Sequence, residues 1–396
     1  MALDATTEAP AATAQKPRTF EQRTILTVSK VWSWLFLLIL VVFFSFEGTG
    51  FVSVRNSQNI LVAITPILLM GLGQTFVIIA GGIDLSVGWV MGLASVASAL
   101  VIRDTVSLLT VEAERQGLSS VFHSVFTAIG AGGAPEIFAI ILGIIMGVGV
   151  ACVAGLINGV IVAKLRVPPF IVTLGLSFVA RGTALLLSGG NIVGGQPTML
   201  RDFGNESLFY LVRGEQKAFY ILNRPELTGN ELRLLDRILP WPVVIWIVLA
   251  VIMAFVLRST QFGRHTYAIG GNKEAALRAG IPVDSHLIKL YVLSGFTTGI
   301  AGVLNTARYS GGSSIAGDPL LMSSIAAVVI GGVSLFGGVG RVSGTVVGAL
   351  IIAVLQTGLI MMAVETFWQY VIVGIVVIMA VLMDQARDLI AGRAEA

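Results

Sequence analysis

The 396-residue sequence predicts an all-α polytopic membrane protein of about ten transmembrane helices, with broken or re-entrant segments at two glycine-rich motifs. Three observations carry this expectation. Hydrophobic residues make up 55% of the chain and charged residues only 12%, with a mean hydropathy of +0.90, whereas a soluble domain carries about 25% charge. Apolar runs of about 20 residues, the length needed to cross a bilayer, recur along the chain. Two of these runs end in similar glycine-rich stretches, GGIDLSVG (81–88) and GGVSLFGG (331–338).

Residues 1–30 are polar, rich in Ala, Thr and Pro, and carry Lys16, Arg18, Arg23 and Lys30, which predicts a disordered cytoplasmic tail. The apolar run from Val31 to Phe46 lies too far behind that tail to be a cleaved signal peptide, and no small-residue cleavage site follows closely, so it is read as a retained span. The predicted spans are 32–51, 58–80, 86–102, 136–162, 168–188, 241–258, 287–307, 318–335, 342–361 and 366–383, inside a transmembrane domain of 31–385 with a second tail at 386–396.

An even number of spans puts both termini on one side, and the basic residues decide which. Lys164, Arg166, Arg258, Arg264, Lys273, Arg278, Lys289, Arg341, Arg387 and Arg393 cluster in one set of connections. Apart from the loop 190–240, where acids interleave the basic residues, the other set holds Arg55, Arg103, Arg115 and Arg308. Positive residues favour the inner face, so the termini and both glycine breaks are placed in the cytoplasm. This also explains the net charge of +3 and pI of 9.1 without invoking nucleic acid. Two outer loops are long, 103–135 and 190–240, and each contains a stretch (VEAERQGLSSVFHSVFTAIG and LTGNELRLLDRILPWP) read as a surface amphipathic helix. Cys152 is the single cysteine and sits in an apolar run, as a small core hydrophobe would.

A break in a span is tolerated only where protein or an aqueous cavity covers the loose backbone. In the first motif the candidates are Gly81, Gly82, Asp84, Ser86 and Gly88; in the second, Gly331, Gly332 and Ser334. Asp84 has two readings: a ligand facing a cavity, or an acceptor for backbone N–H groups that caps the next half-helix. The second is favoured, because Asp84 is expected near the cytoplasmic end of its span. Arg181 pairs with a carboxylate, bonds loose carbonyls or meets a substrate hydroxyl, and pairing inside the protein is favoured. Asn158 lies between Gly155 and Gly159, a spacing for close helix packing.

The connection 259–286 reads GRHTYAIGGNKEAALRAGIPVDSH from Gly263. Gly270 and Gly271 suggest a turn, Asn272 an N-cap, and Glu274 a charge that suits the first turn of a helix. Lys273, Ala275, Ala276 and Leu277 continue that helix until Gly280 and Pro282 stop it. Its small side chains suit a close partner; the plain alternative is a connecting helix.

The Glu274-Ala275-Ala276 and Gly280 pattern resembles the coupling helix of ATP-binding-cassette (ABC) importer permeases. With PPFIVTLGLSFVARG (168–182), IAAVVIGGVSLFGGVGRVSGTVVGAL (325–350) and the first motif, the chain resembles the ribose/xylose-type monosaccharide permeases. The stretch TFWQYVIVGIVVIMAVLMD (366–384) looks most like the xylose-type branch. The resemblance implies a non-enzymatic homodimeric subunit in lipid, in the bacterial inner membrane, importing a pentose such as xylose, or a related hexose or polyol, by alternating access. It implies a cytoplasmic ATPase that binds ATP and Mg, a periplasmic sugar-binding protein, and a translocation path between the two subunits; Thr173, Arg181 and Asn158 are candidates for that path or for the structural frame around it. No cofactor is expected in this chain: none of its lysines follows a glycine or precedes Ser or Thr, so no phosphate-binding loop is present. His123, His265 and His286 fall in predicted loops, and no hydrolase or metal motif accompanies them. The rival classes are an ion-coupled secondary sugar transporter and a pore or scaffold; the first needs more ionisable residues at mid-membrane than this chain offers.

Overall fold

The computed structural model describes residues 20–48, 50–109, 134–213, 218–222, 225, 235–376, 378–379 and 382. The helices are α1 (Phe20–Glu47), α2 (Val54–Ile79), α3 (Val87–Ser107), α4 (Ala134–Lys164), α5 (Pro169–Ser188), α6 (Thr198–Asn205), α7 (Trp241–Ser259), α8 (Gln261–Gly271), α9 (Lys273–Arg278), α10 (Val283–Tyr309), α11 (Leu321–Ile330), α12 (Val342–Met361) and α13 (Thr366–Val376). Among the described residues seven helices are long and apolar enough to cross a membrane, and the apolar stretches Trp32–Glu47, Asp318–Ile330 and Thr366–Val376 are shorter. The backbone is already helical at Phe20, inside the stretch expected to be irregular. The amphipathic stretch expected at 111–130, with His123, and the tail 386–396 lie outside the described residues.

Helix α2 is the axis of the bundle. It is apolar on every face, so it can be stable only when surrounded, and 83% of its most apolar window is buried against α7, α8, α10, α11 and α12, compared with 28% for α4 and α5. Ile64, Leu68, Leu72 and Phe76 lie fully inside. The closest helix pair is α4 with α10: Gly155 backs onto the Tyr291 carbonyl and Gly295 onto that of Ala151, at distances that leave no room for a Cβ. Close backbone approach of this kind is how apolar helices associate in lipid, where burial of apolar surface supplies no drive.

The chain crosses back and forth, so α2, α4, α7 and α11 end, and α5, α10 and α12 begin, at the end of the bundle that carries the glycine breaks. At the opposite end the long loop is more than irregular. Strands β1 (Ser207–Val212), β2 (Ala218–Ile221) and β3 (Leu235–Pro240) form an antiparallel sheet in the order β2-β1-β3. Tyr210 faces Tyr220 on one side and Arg237 on the other, and its buried hydroxyl accepts the Ser207 N–H at 2.9 Å. Of the expected surface helix 227–242, residues 227–234 lie outside the described residues, and Leu235–Pro240 is a strand: Ile238 pairs with Phe209 on a half-buried sheet, where a helix would be interrupted by Pro240 and Pro242. Helix α6 fixes this sheet to the bundle. Gly204 rests on the Ala307 backbone, Asn205 Nδ2 donates to the Arg308 carbonyl at 3.0 Å, and Arg308 Nη1 returns a bond to Asn205 Oδ1 at 2.9 Å.

The expected span 318–335 is a broken one. Only Leu321–Ile330 is α-helical, after a 3-10 turn at Asp318–Leu320. Before it, residues 310–317 run down the side of α3: Gly312 touches Ser95, Val96 and Ala99, and Gly317 touches Gly88 and Met91. The sequence signal for this third break, SGGSSIAGDP, was read as part of an outer loop.

Candidate functional site

The two glycine motifs end their helices in the same way. Gly81 N–H bonds the Ile78 carbonyl and Gly82 N–H the Val77 carbonyl, both at 2.9 Å, with Gly81 at φ +81°. At the second motif Gly332 N–H bonds the Val329 carbonyl at 2.8 Å and Val333 N–H the Val328 carbonyl at 3.2 Å, with Gly332 at φ +83°. This paired pattern reverses the chain while satisfying the last carbonyls, and it needs a left-handed residue that glycine supplies without strain. The two turns are offset by one residue in the motif, so Asp84 has no counterpart in the second. There Ser334 holds the loop: its Oγ accepts the Phe336 N–H at 3.3 Å and its carbonyl the Gly337 N–H at 3.1 Å.

After the first turn the chain tucks back beside α2. Gln74 Nε2 donates to the Asp84 carbonyl at 3.2 Å, which places Asp84 about 8 Å above the end of α2 at 1.5 Å per residue. It is thus deeper in the bundle than its place in the sequence suggested. The carboxylate is buried; Oδ1 accepts Ser86 N–H at 3.0 Å and Ser86 Oγ at 2.6 Å, and Oδ2 accepts Ser294 Oγ of α10 at 2.8 Å. Asn158 Nδ2 of α4 donates to Ser86 Oγ at 2.9 Å. One carboxylate therefore ties the break to α10 directly and to α4 through Ser86. Thr173 Oγ1 bonds its own helix at the Pro169 carbonyl, 2.9 Å, beside Ile83.

Helix α8 joins the two breaks. A Cβ on Gly270 would lie 1.7 Å from the Ile79 carbonyl oxygen and 2.6 Å from Gly338 N, so helix backbone and both break backbones are in direct contact. Gly338 N–H donates to the same Ile79 oxygen at 2.8 Å, and Tyr267 Oη of α8 donates to the Gly340 carbonyl at 2.7 Å. Burial raises the Tyr267 phenol above its ordinary pKa, with the nearby Arg341 charge opposing, so it remains a donor at neutral pH. Gly270 and Gly271, expected to form a turn, instead complete α8; what breaks the helix is Asn272, at φ −157°. The Asn272 side chain accepts Ala275 N–H at 2.9 Å and opens α9, which ends at Gly280 with φ +80°. On α9, Lys273, Glu274, Ala275 and Leu277 are exposed, but Ala276 is buried against the protein itself. The sequence reading had both alanines facing a partner.

A family model described as "branched-chain amino acid transport system / permease component" matches residues 56–381. The chain belongs to this permease family. It is 35% identical over 361 residues to the ribose import permease of Bacillus subtilis, covering 91% of this chain and 94% of that one. It is 34% identical over 385 residues to a xylose transport system permease of Haemophilus influenzae, covering 89% and 94%. It is 33% identical over 349 residues to a fructose import permease of Rhizobium meliloti, covering 88% and 83%. Identities this similar single out no xylose-type branch. No solved structure matches the chain.

Other residues in the permease sit differently from the sequence reading. Arg181 is exposed on α5, and its guanidinium lies over the Trp89 ring of α3, 4.5 Å from the centroid. Its partner is an aromatic face, and among the described residues it makes no ion pair. His265 lies in α8 and the buried His286 in α10, where Nε2 is 2.8 Å from Thr266 Oγ1, so neither is in a loop. Sequence reasoning missed Gln74, Tyr267, Gly270 and Ser294. A glutamine, a tyrosine and a serine inside helical runs give no local sign of a partner far away in the chain. Gly270 had a signal, the Gly-Gly pair, which reads equally well as a turn.

Proposed function

We propose that the protein is the membrane permease of an ATP-driven importer that moves a monosaccharide into the cytoplasm by alternating access. The carrying observation is the contact of α8 with both glycine breaks. A push on the exposed face of α9 passes through Asn272 to α8, and from Gly270 to the end of α2 and to the loop at Gly338 that joins α11 to α12, without a flexible side chain between. Rigid backbone contact of this kind suits a bistable bundle driven from one end. A separate ATPase subunit binding ATP and Mg supplies the push on Lys273, Glu274, Ala275 and Leu277, a soluble sugar-binding protein meets the opposite end, and a second copy of the chain completes the permease in the inner membrane. The sugar class rests on the ribose, xylose and fructose permeases that resemble the chain. Lys164, Arg166, Arg258, Arg264, Lys273, Arg278, Lys289 and Arg341 gather at the break end, which supports a cytoplasmic placement of that end and of both termini.

In this reading Asp84 and Ser86, with Asn158, brace the break and do not hold substrate, because both carboxylate oxygens are already engaged by the protein. That also weighs against ion-coupled secondary transport, which needs a carboxylate free to exchange its partner for an ion.

The test is uptake by the chain co-expressed with an ATPase subunit and a sugar-binding protein of such an importer. The panel is labelled ribose, xylose, fructose, allose, arabinose and, because of the family description, leucine. We expect one or more sugars to accumulate only with ATP and despite a protonophore. Uptake that survives ATP depletion but collapses with a protonophore, or leucine uptake alone, overturns the proposal.

A further inference from the structure

A cavity of about 800 Å3 opens between α2, α10, α12 and the unwound segment 310–320, within the range of roughly 300–1,000 Å3 typical of small-molecule sites. Two facing stripes wall it. On α2 they are Asn59, Val62, Ala63 and Pro66; on α10, Ala301, Leu304, Asn305 and Arg308. Both follow the i, i+3, i+4, i+7 spacing of a single helix face. Other walls include Ser313, Pro319 and Leu320 after α10, Gln356 of α12, Pro242 of α7 and Ile192.

Three features give the cavity a ligand chemistry. Its polar groups are mostly neutral amides and hydroxyls, and among the described residues no Asp or Glu lines it. The Asn59 and Asn305 amides make no hydrogen bond to other described residues, and Gln356 Nε2 reaches only Ser323 Oγ at 3.5 Å, a distance at which little bonding remains. Arg308, the one cation among the described residues of the wall, is held at the rim by Asn205 Oδ1. One backbone feature favours water in this space. Pro66 has no N–H to give the Val62 carbonyl, and both residues line the cavity. Residues 310–317, packed on α3 by one side, turn the other towards it, with the N–H groups of Gly311, Gly312, Ser313 and Ala316 bonded within the protein.

We infer that this cavity is a water-filled station for a neutral polyhydroxylated solute, with the Asn59, Asn305 and Gln356 amides exchanging water for solute hydroxyls. The inference rests on the importer reading and adds the place where the sugar is held. A site this roomy, with amides and no charge pair, holds a small sugar with part of its hydration, which favours release over tight capture. Discontinuous helices line solute sites in other transporter architectures for the same physical reason, since unwound backbone offers polar groups at depth.

The experiment uses the whole importer in membrane vesicles, with Cys152→Ala as background. Ala63→Cys, Asn305→Cys and, as a lipid-facing control on α4, Ile145→Cys are exposed to a charged methanethiosulfonate reagent. Ribose, xylose and fructose are each tested for protection, and ribose 5-phosphate is the charged comparison. Labelling at 63 and 305 but not at 145, slowed by an imported sugar and not by the phosphate ester, is the expected result. Asn305→Ala with Gln356→Ala should lower uptake about tenfold, as the loss of one or two hydrogen bonds predicts, while the ATPase still co-purifies. Unlabelled cysteines at 63 and 305 would mean a lipid-filled pocket, and protection by the phosphate ester alone an anion site; either overturns the inference. Wild-type chain without any ATP-driven sugar uptake sinks the importer reading instead, whereas normal uptake by the double alanine variant removes only the cavity assignment.

Discussion

Replacing Gly270 by alanine adds one methyl group at the point where α8 meets both breaks. On the present backbone that methyl lies 1.7 Å from the Ile79 oxygen, and because real Cβ contacts essentially never fall under 3.0 Å, α8 must retreat by about 1.3 Å. Neither opposing atom can step aside, since both are main chain in a turn. Overpacking of this kind costs about 1–3 kcal/mol. The retreat also stretches the Gly338 N–H to Ile79 bond and the Tyr267 to Gly340 bond, each worth about 1 kcal/mol net. With both bonds lost, a total of about 3–5 kcal/mol follows. Gly271, the next residue, is the control: nothing lies within 4 Å of its added Cβ, and alanine in a helix gains about 0.5–1 kcal/mol over glycine. Thermal unfolding in detergent, ATPase co-purification and sugar uptake are measured on both variants. Gly270→Ala should melt several degrees lower and lose most uptake, while Gly271→Ala should match or slightly exceed wild type in melting and keep its uptake. If the two variants behave alike, α8 is not the link between the breaks and the coupling route proposed above is wrong.

Three further outcomes test the remaining parts. Asp84→Asn should keep folded yield and substrate range, because an amide still offers an oxygen to Ser86, whereas Asp84→Leu should cut yield by leaving donors unpaired at about 1–3 kcal/mol each; a well-folded Asp84→Leu with altered sugar preference would make the residue a ligand. Ala275→Trp and Leu277→Glu, on the exposed face of α9, should leave the permease intact but lose the ATPase on co-purification and abolish uptake, while Ala276→Trp should lower the melting temperature of the permease alone, since that side chain is buried; full uptake in the first two would leave α9 a mere connector. A reporter fused after His265 should be cytoplasmic and one inserted near Glu215 outside, and the reverse orientation would put the ATPase on the wrong side of the bundle.

Much of the fold was legible because membrane insertion makes local composition decisive. The helices over 54–79, 134–164, 241–259 and 342–361 match their predicted spans within a few residues, as runs of apolar side chains allow little else where every backbone group must be bonded internally. The self-capped helix after Asn272 was legible for a similar reason, since a cap acts over three residues. Less legible were places where one sequence suits two local structures. Leu235–Pro240 carries residues that serve a helix or a strand, and pairing with β1 decided between them. The stretch 310–320 has the glycines and serines of a surface loop, yet contact with α3 draws it into the bundle.

The sequence by itself determined that the chain is a bundle of apolar helices, where most of them run, that two glycine motifs break them, and which end carries the positive charge. Those properties depend on neighbours within a few residues or on summed composition. The tertiary structure decided what the breaks do. Asp84 meets Ser294 across 210 residues of chain, Ala276 turns inward while Ala275 stays outside, and Gly270 rests against Ile79 and Gly338 because the end of α8 and two glycine turns, each satisfied on its own, converge where no side chain fits. Such contacts leave no local trace, since a glycine needed for close approach and one needed for a turn are the same residue in the sequence.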